Sequence, residues 1–582
     1  MKNLYSLKKY FIRYKKKLLL GALFVVLSNV GSIYIPLIIK NAINALTVKV
    51  SVAQLIHYSI LIVLASLFAG FFRYLIRQMI IVVSREIEYD LREDFWSHIQ
   101  KLPLRYFQNN STGNVMAHAT NDINAVRSFL GPAVMYSTDT AFRLVLVIGV
   151  MISLNPSLTL YSLLPLPLLS ILVYKIGKLI HEKFTLIQEK FSELTTKAQE
   201  NFAGIRVIKS YVREENEISQ FKQLSKDFLN RNMDMIKIQA YLQPVLFLVT
   251  GLSVIIVIWL GGVKIINGSL NLGDLTAFIA YLGILTWPMI AFGWVINMIQ
   301  QAEASMKRLN KIFAEPYEIQ DNDTTNNSIK DLTGKIEFNN VSFKYNENLP
   351  NVLNNINLTI PAGSTLAIMG YTGEGKTSLI NLIPRLYDCT EGEVLIDGAN
   401  VKTIPLELLR TRIGIVQQES FLFSDTISNN ITYGLRKHDE EKVLKSSMIA
   451  HFDKDVETFP KGYETVMGER GITLSGGQKQ RASLARAIAI DPKILILDDS
   501  FSAVDTNTEE EILKSLKEFM KDRTSIIISH RISTVKNADK IIVLSKGAIF
   551  EQGTHDELIS LGGIYADLHY KQLLEKELEE LN

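Results

Sequence analysis

Six apolar stretches, at about 18–39, 54–82, 132–154, 157–176, 240–262 and 273–298, set the strongest limit on what this chain can become. Each is near or above the roughly 20 residues a helix needs to cross a bilayer. In lipid the backbone has no water to bond, so such stretches must satisfy their own amides as helices. The first is too long for a cleavable signal and lacks a small-residue cleavage site, so it is expected to remain as a span. Basic residues precede it (Lys2, Lys8, Lys9, Arg13, Lys15, Lys16 and Lys17) and are expected to keep that end in the cytoplasm. Six crossings return the chain to the same side, so both termini are expected to be cytoplasmic, in a plasma-membrane protein.

The loops alternate in length. Outer connections are short, at about 40–53, 155–156 and 263–272, whereas the inner ones run from about 83 to 131 and from 177 to 239. The inner segments are charged and helix-patterned, and as antiparallel helix pairs they would reach roughly 35–45 Å into the cytoplasm at ~1.5 Å per residue. Their turns, near 108–115 and 201–210, are natural grips for a soluble engine. Few charges lie inside the spans. Arg73 and Arg77 sit late in the second, where snorkelling to the interface accounts for them. Asp139 and Arg143, four apart, share a helix face and fit either a cavity wall or a local ion pair. Trp287-Pro288 can bend the sixth span, line a cavity or simply pack.

With 582 residues, the chain is long enough for two to four domains. A net charge of +3 gives no field suited to nucleic acid, and the single cysteine, Cys389, excludes an intrachain disulfide or a multi-cysteine metal site. The polar stretch 315–334 reads as a linker, dividing a membrane domain at 1–314 from a soluble domain at 335–582.

The soluble part opens with an alternating strand (Ile336, Phe338, Val341, Phe343). Gly370-Tyr371-Thr372-Gly373-Glu374-Gly375-Lys376-Thr377 then fits the phosphate-binding G-x-x-x-x-G-K-[ST] pattern, between an apolar strand and a helix start at Ser378. Glycines let several N–H groups turn onto a phosphate chain, Lys376 adds a charge for the outer phosphates, and the Thr377 hydroxyl is suited to Mg²⁺. A buried strand, Lys493 to Leu497, ends in Asp498 and Asp499; a strand-end Asp beside such a loop is the arrangement that holds Mg²⁺. The expected fold is an α-helical six-span transmembrane domain followed by an α/β P-loop NTPase domain.

Leu474-Ser475-Gly476-Gly477-Gln478-Lys479-Gln480-Arg481 makes the resemblance specific: it resembles the signature sequence of ATP-binding-cassette (ABC) proteins. Other parts follow in that family's order. Tyr345 resembles the aromatic that stacks on adenine, and Gln418 the glutamine that joins the Mg²⁺ shell and senses the membrane domain. Gly468-Glu469-Arg470-Gly471 resembles the loop before the signature in exporters. Ser502-Ala503-Val504-Asp505 resembles the loop that crosses the dimer interface, and His530 the histidine that contacts the γ-phosphate. Six spans and one cassette resemble half of an ABC exporter.

The resemblance implies ATP and Mg²⁺ as cofactors, with two cassettes packed head to tail and each ATP covered by the other chain's signature, here Ser475, Gly477 and Gln478. It also implies a second half-transporter as partner and hydrophobic drugs or lipids as cargo. One position departs. The family usually places Glu after the strand-end Asp as general base, and this chain has Asp499, one methylene shorter; a setback of roughly 1 Å or more can cost about 10²-fold in rate. The expectation is a weakly hydrolytic site in a heterodimer whose partner brings the Glu. Alternatives are a homodimer with slow Asp-based hydrolysis and an ATP-gated channel or regulator.

Overall fold

The computed structural model describes residues 2–48, 51–468 and 474–580, and divides into two compact units. The first comprises Met1–Gln100 and Ser111–Glu315, the second Lys101–Asn110 and Pro316–Asn582.

Six long helices build the first unit: Lys15–Leu46, Val52–Ile99, Thr112–Leu154, Pro156–Ala203, Glu214–Ile266 and Leu272–Phe313. Each of the three short turns between spans ends on a residue suited to start the next helix. Ser51 caps the second in a reciprocal capping box with Gln54, Asn155 accepts from Leu158 N ahead of Pro156, and Asn271 pairs with Asp274. The buried core includes Phe278, Tyr281 and Leu285 of the sixth span, packed with Val147, Met151, Leu158, Val249 and Val257. Tyr281 donates to the Ile33 carbonyl at 2.8 Å, tying the sixth span to the first. Where the first span ends and the sixth begins, Lys40 pairs with Asp274 at 2.8 Å, and a Cβ at Gly273 would lie 2.2 Å from the Lys40 carbonyl. Only glycine permits that approach. Other faces leave Leu67, Phe71, Val145, Leu160 and Leu164 exposed, as surfaces for lipid or a second chain require.

The helices run on past the apolar windows and are held together by charge. Lys9 and Tyr10 both reach Asp94 at 2.6 Å, Arg13 and Tyr14 reach Asp90 at 3.0 Å, and Lys17 reaches Glu86 at 2.6 Å. Lys9, Arg13 and Lys17 of the N-terminal basic cluster are therefore paired with carboxylates of the second helix. Buried Asp122 accepts from Ser305 at 2.8 Å and from Arg308 Nε at 3.0 Å, joining the third helix to the sixth. π-Turns interrupt the second helix at Arg77–Ile81 and the third at His118–Asp122 and Phe129–Ala133. Pro288 lies inside the unbroken sixth helix.

The second unit contains two sheets. Strands β1 (Ile336–Phe343), β2 (Leu353–Ile360), β4 (Glu391–Ile396) and β5 (Ala399–Asn400) form an antiparallel sheet in the order β2-β1-β4-β5. The other runs β10-β9-β3-β8-β7-β6, where β3 is Thr365–Met369, β6 Ile413–Val416, β7 Ile494–Asp498, β8 Thr524–Ile528, β9 Lys540–Ser545 and β10 Ala548–Gly553. Its inner strands are parallel and buried, which is why they read as unbroken Ile/Leu runs. Residues 315–334 carry no helix or strand but are fastened down: Asn326 N donates to Thr403 O at 2.7 Å and Leu406 N to Asp321 Oδ1 at 3.0 Å. The short helix Leu104–Asn109, between the second and third long helices, belongs to this second unit.

Candidate nucleotide site

Strand β3 lies between β8 and β9, and its C-terminal end delivers the chain into the glycine loop. There Gly370, Gly373 and Gly375 take φ of +143°, +90° and +91°, values an L side chain resists. A Cβ at Gly370 would also meet the Leu544 carbonyl at 2.5 Å. Thr372 is exposed at the loop tip, and Glu374 is anchored by the Lys546 backbone N–H. Lys376 is buried, and its Nζ donates to the carbonyls of Gly370 at 2.9 Å and Tyr371 at 2.8 Å. Burial draws its pKa below the usual lysine value, against the pull of Asp498, Asp499 and Glu374.

Parallel pairing brings the ends of β7 and β8 alongside this loop. Thr377 Oγ1 donates to Asp498 Oδ2 at 2.9 Å. Asp498 is buried, and burial raises its carboxyl pKa, the Thr377 hydrogen bond and Lys376 opposing. Two hard oxygen donors thus meet beside Lys376. No group of three His, Cys, Asp or Glu among the described residues could enclose a metal alone. Mg²⁺ keeps waters and takes phosphate oxygens, so a two-oxygen protein site fits it. Asp499 follows in the left-handed region at φ +47°, its N–H donating to Ile528 O at 2.9 Å. Asp is among the few non-glycine residues that accept this conformation readily. Gln418 is exposed in the loop after β6. Tyr345 donates to or accepts from Ser378 Oγ at 2.7 Å, and its ring meets Phe343 and Tyr387 edge-on. It is therefore tied to the helix that follows the loop.

The signature residues rest on a different core. Leu379 and Ile380 behind the glycine loop belong to one cluster, whereas Leu474, Ala482 and Leu484 belong to a second with Phe452 and Ile512. Ser475 caps the helix Gly476–Ala489 in a capping box with Gln478, whose side chain also donates to Asp455 at 3.1 Å. A Cβ at Gly477 would lie 2.9 Å from Ala503 O, and Gln480 holds Ser502 and Ala503 at 3.0 Å. The signature turn and the loop 502–505 are therefore packed and hydrogen-bonded to one another. Ser475 is exposed at a helix N-terminus, a geometry suited to phosphate. Of the predicted site residues, Lys376, Thr377 and Asp498 come together with Asp499 beside them, while Ser475, Gly477 and Gln478 sit on the helix packed on the second core. Glu469, Arg470 and Gly471 lie outside the described residues.

Sequence reading missed Gln572. Its Nε2 donates to the His530 carbonyl at 2.6 Å and its Oε1 accepts from Ile532 N at 2.9 Å, gripping the backbone on both sides of Arg531. It lies in the tail from 555, which reads from the sequence as a solvated charged helix. In fact Tyr565 is fully buried and bonds His555 at 2.7 Å, and Glu551 accepts from the N–H groups of Ile564 and Tyr565. Nothing local marks Gln572; only the buried Tyr565 signals that the tail folds back.

Comparison with known proteins agrees with this geometry. Residues 18–289 match the model of the ABC transporter transmembrane region, and residues 353–502 the ABC transporter model. The multidrug resistance-like ATP-binding protein MdlA of Buchnera aphidicola is 36% identical over 577 residues, covering 99% of each chain. The ATP-dependent lipid A-core flippase of Desulfotalea psychrophila is 36% identical over 490 residues, 84% of this chain and 85% of its own. A solved bacterial Atm1-family ABC exporter with ATP bound superposes with a TM-score of 0.80 at 27% identity, covering 96% of this chain and 98% of that one. Fold and site together define a multi-pass membrane protein with a P-loop ATPase domain. The chain belongs to the ABC transporter family, among its exporters.

Proposed function

We propose that this chain is one half of a dimeric exporter that moves hydrophobic drugs or lipids out across the plasma membrane by alternating access. The observation that carries this reading is the Lys376, Thr377 and Asp498 constellation on the same chain as six apolar helices long enough to span. In this mechanism the glycine loop and Lys376 take the phosphates, Tyr345 offers a face to adenine, and His530 lies near the γ-phosphate. Thr377, Asp498 and Gln418 would hold Mg²⁺, which neutralises developing charge on the transferred phosphoryl group. Ser475 and Gly477 would close on a nucleotide carried by a partner. ATP then binds the closed pair better than the open pair, and its hydrolysis removes that preference.

A second chain is also suggested by the second inner turn. Phe202, Val207, Tyr211 and Val212 are exposed there, each above 60%, and such an apolar tip calls for a cover. Asp499 limits hydrolysis at this chain's own site, so the proposed partner carries Glu at the matching position and completes the competent site with this chain's signature. A channel or regulator would need the same ATP site but no accumulation. The test is ATP-driven accumulation of a lipophilic dye in inverted vesicles containing the chain and its partner. Uptake against the gradient that is lost in Lys376→Ala supports export; equilibration without accumulation favours a gate.

A further inference from the structure

We infer that the second unit carries an effector site for an organic anion with a compact apolar body, received at Lys442 and Lys445. The membrane unit has its own cavity, which Tyr136 and Trp287 line. A different one, of 450 Å³, lies among the helices Glu440–Ile449, Gly476–Ala489 and Thr506–Met520 of the second unit. A volume of that order suits a small ligand. Its floor is apolar: Ile449, Ile488, Ala489 and Phe519. None of the residues given above to nucleotide or Mg²⁺ lines it.

The charges in the wall do not cancel. Asp491 pairs with Arg523 at 2.6 Å and Glu518 with Lys521 at 2.7 Å, so both carboxylates are met. Two helices also end here, and their carbonyl ends favour cations. Arg523 answers that demand as well: it donates to the Phe519 carbonyl, and its Cζ lies 3.9 Å from the centroid of the Phe519 ring. Lys442 and Lys445 are surplus. They stand at i and i+3 on one helix face, are exposed, and make no side-chain hydrogen bond or ion pair with any described residue. The hydroxyls are taken: Ser446 Oγ donates to Val443 O at 3.2 Å, and Ser515 Oγ meets His451 Nε2 at 2.9 Å. Solvated lysines are ordinary on an open surface. Here they rim a hollow whose floor includes Ile488 and Ala489, only 4% and 3% exposed. An anion with an apolar body satisfies both parts, whereas a cation would meet two like charges.

The place of the cavity gives its occupant leverage. Ile488 and Ala489 close the helix whose N-cap is Ser475 of the signature turn. Ser515 and Phe519 lie towards the end of the helix whose N-cap is Asp505. Both helices run roughly 20 Å at ~1.5 Å per residue. Their N-terminal ends are bonded together, with Gln480 holding Ser502 and Ala503 at 3.0 Å. The third wall, Glu440–Ile449, packs on the same core through Val443. A ligand that wedges apart or draws together the far ends therefore acts on Ser475 and on the loop 502–505 at once. ATP turnover then responds to an organic anion that never reaches the glycine loop.

The test uses the full chain in nanodiscs and 4-benzoylbenzoate, a photoreactive anion with an apolar body, with peptide mass spectrometry to locate the label. Label should appear on peptides carrying 442–449 or 515–519. Naphthalene-2-carboxylate should compete for it at least about fivefold better than 2-naphthylmethylammonium, which two exposed charges together can supply. Lys442→Gln/Lys445→Gln should remove that difference; the wild-type competition decides alone if that variant does not fold. In the dark, saturating 4-benzoylbenzoate should change the ATPase rate of the wild type at least about twofold, a modest coupling between sites, and leave the rate of the variant unmoved. Label placed elsewhere, or equal competition by the ammonium, overturns the site. Label in place with no change of rate overturns its role as effector. Neither readout involves transport, so both can fail while the export reading stands, and the reverse.

Discussion

Asp499→Glu separates the geometry of this ATPase site from its chemistry. The position sits at the end of β7, its N–H bound to Ile528 O at 2.9 Å and its φ at +47°. One added methylene moves the carboxylate outward by roughly 1 Å or more, and misplacement of that order costs about 10²-fold in rate, so restoring it should raise kcat by ten- to about a hundredfold. The backbone opposes the change. Asp tolerates the left-handed region better than Glu, for which that conformation costs about 1 kcal/mol. In a domain of this size that lowers the melting temperature by about 2–4 °C. The assay pairs steady-state ATPase with thermal unfolding of the full chain, with Asp499→Asn as the background. A faster and less stable variant supports the account. An unchanged kcat would refute the claim that the short carboxylate limits hydrolysis.

Three further outcomes follow from the same geometry. Lys376→Ala should abolish labelling of this chain by photoreactive ATP, and retained labelling would remove the glycine loop from the site. Asp498→Asn should raise the melting temperature at neutral pH: burial holds the folded-state pKa above the unfolded value, so the ionised carboxyl is disfavoured in the fold and its penalty is complete above the folded pKa. That gain should shrink as pH falls through the folded pKa toward the unfolded one, and a gain that grew on acidification would contradict it. Gln572→Ala should lower kcat several-fold with little change in KM for ATP, because its two bonds grip the backbone around His530 rather than the nucleotide; a rise in KM alone would give the tail another role.

What could be read in the sequence was what local pattern determines. The spans and the strand–loop–helix around Gly370 depend on neighbours in the chain, so periodicity and motif spacing revealed them. Pairing of Thr377 with Asp498 was also foreseeable, because a parallel sheet brings strand ends to one edge. Features built from distant partners were not legible. Lys9 and Arg13 read as membrane-orienting charges, yet they meet Asp94 and Asp90 more than seventy residues on. The π-turn at Arg77 changes a helix register without any local residue that requires it. Gln572 looked like surface because the contact that matters lies 42 residues earlier in the chain.

Access to the membrane cavity, measured from each side, tests most directly whether nucleotide on this loop drives the spans. With Cys389→Ser removing the native thiol, Tyr136→Cys places a single cysteine in the cavity wall for a membrane-impermeant maleimide. Without ATP the cysteine should label from the cytoplasmic face in inverted vesicles. With ATP and Asp499→Asn to retain it, labelling should move to the outer face in spheroplasts, and Lys376→Ala should abolish the shift. Labelling from the same side at the same rate, with and without ATP, would contradict alternating access in this protein.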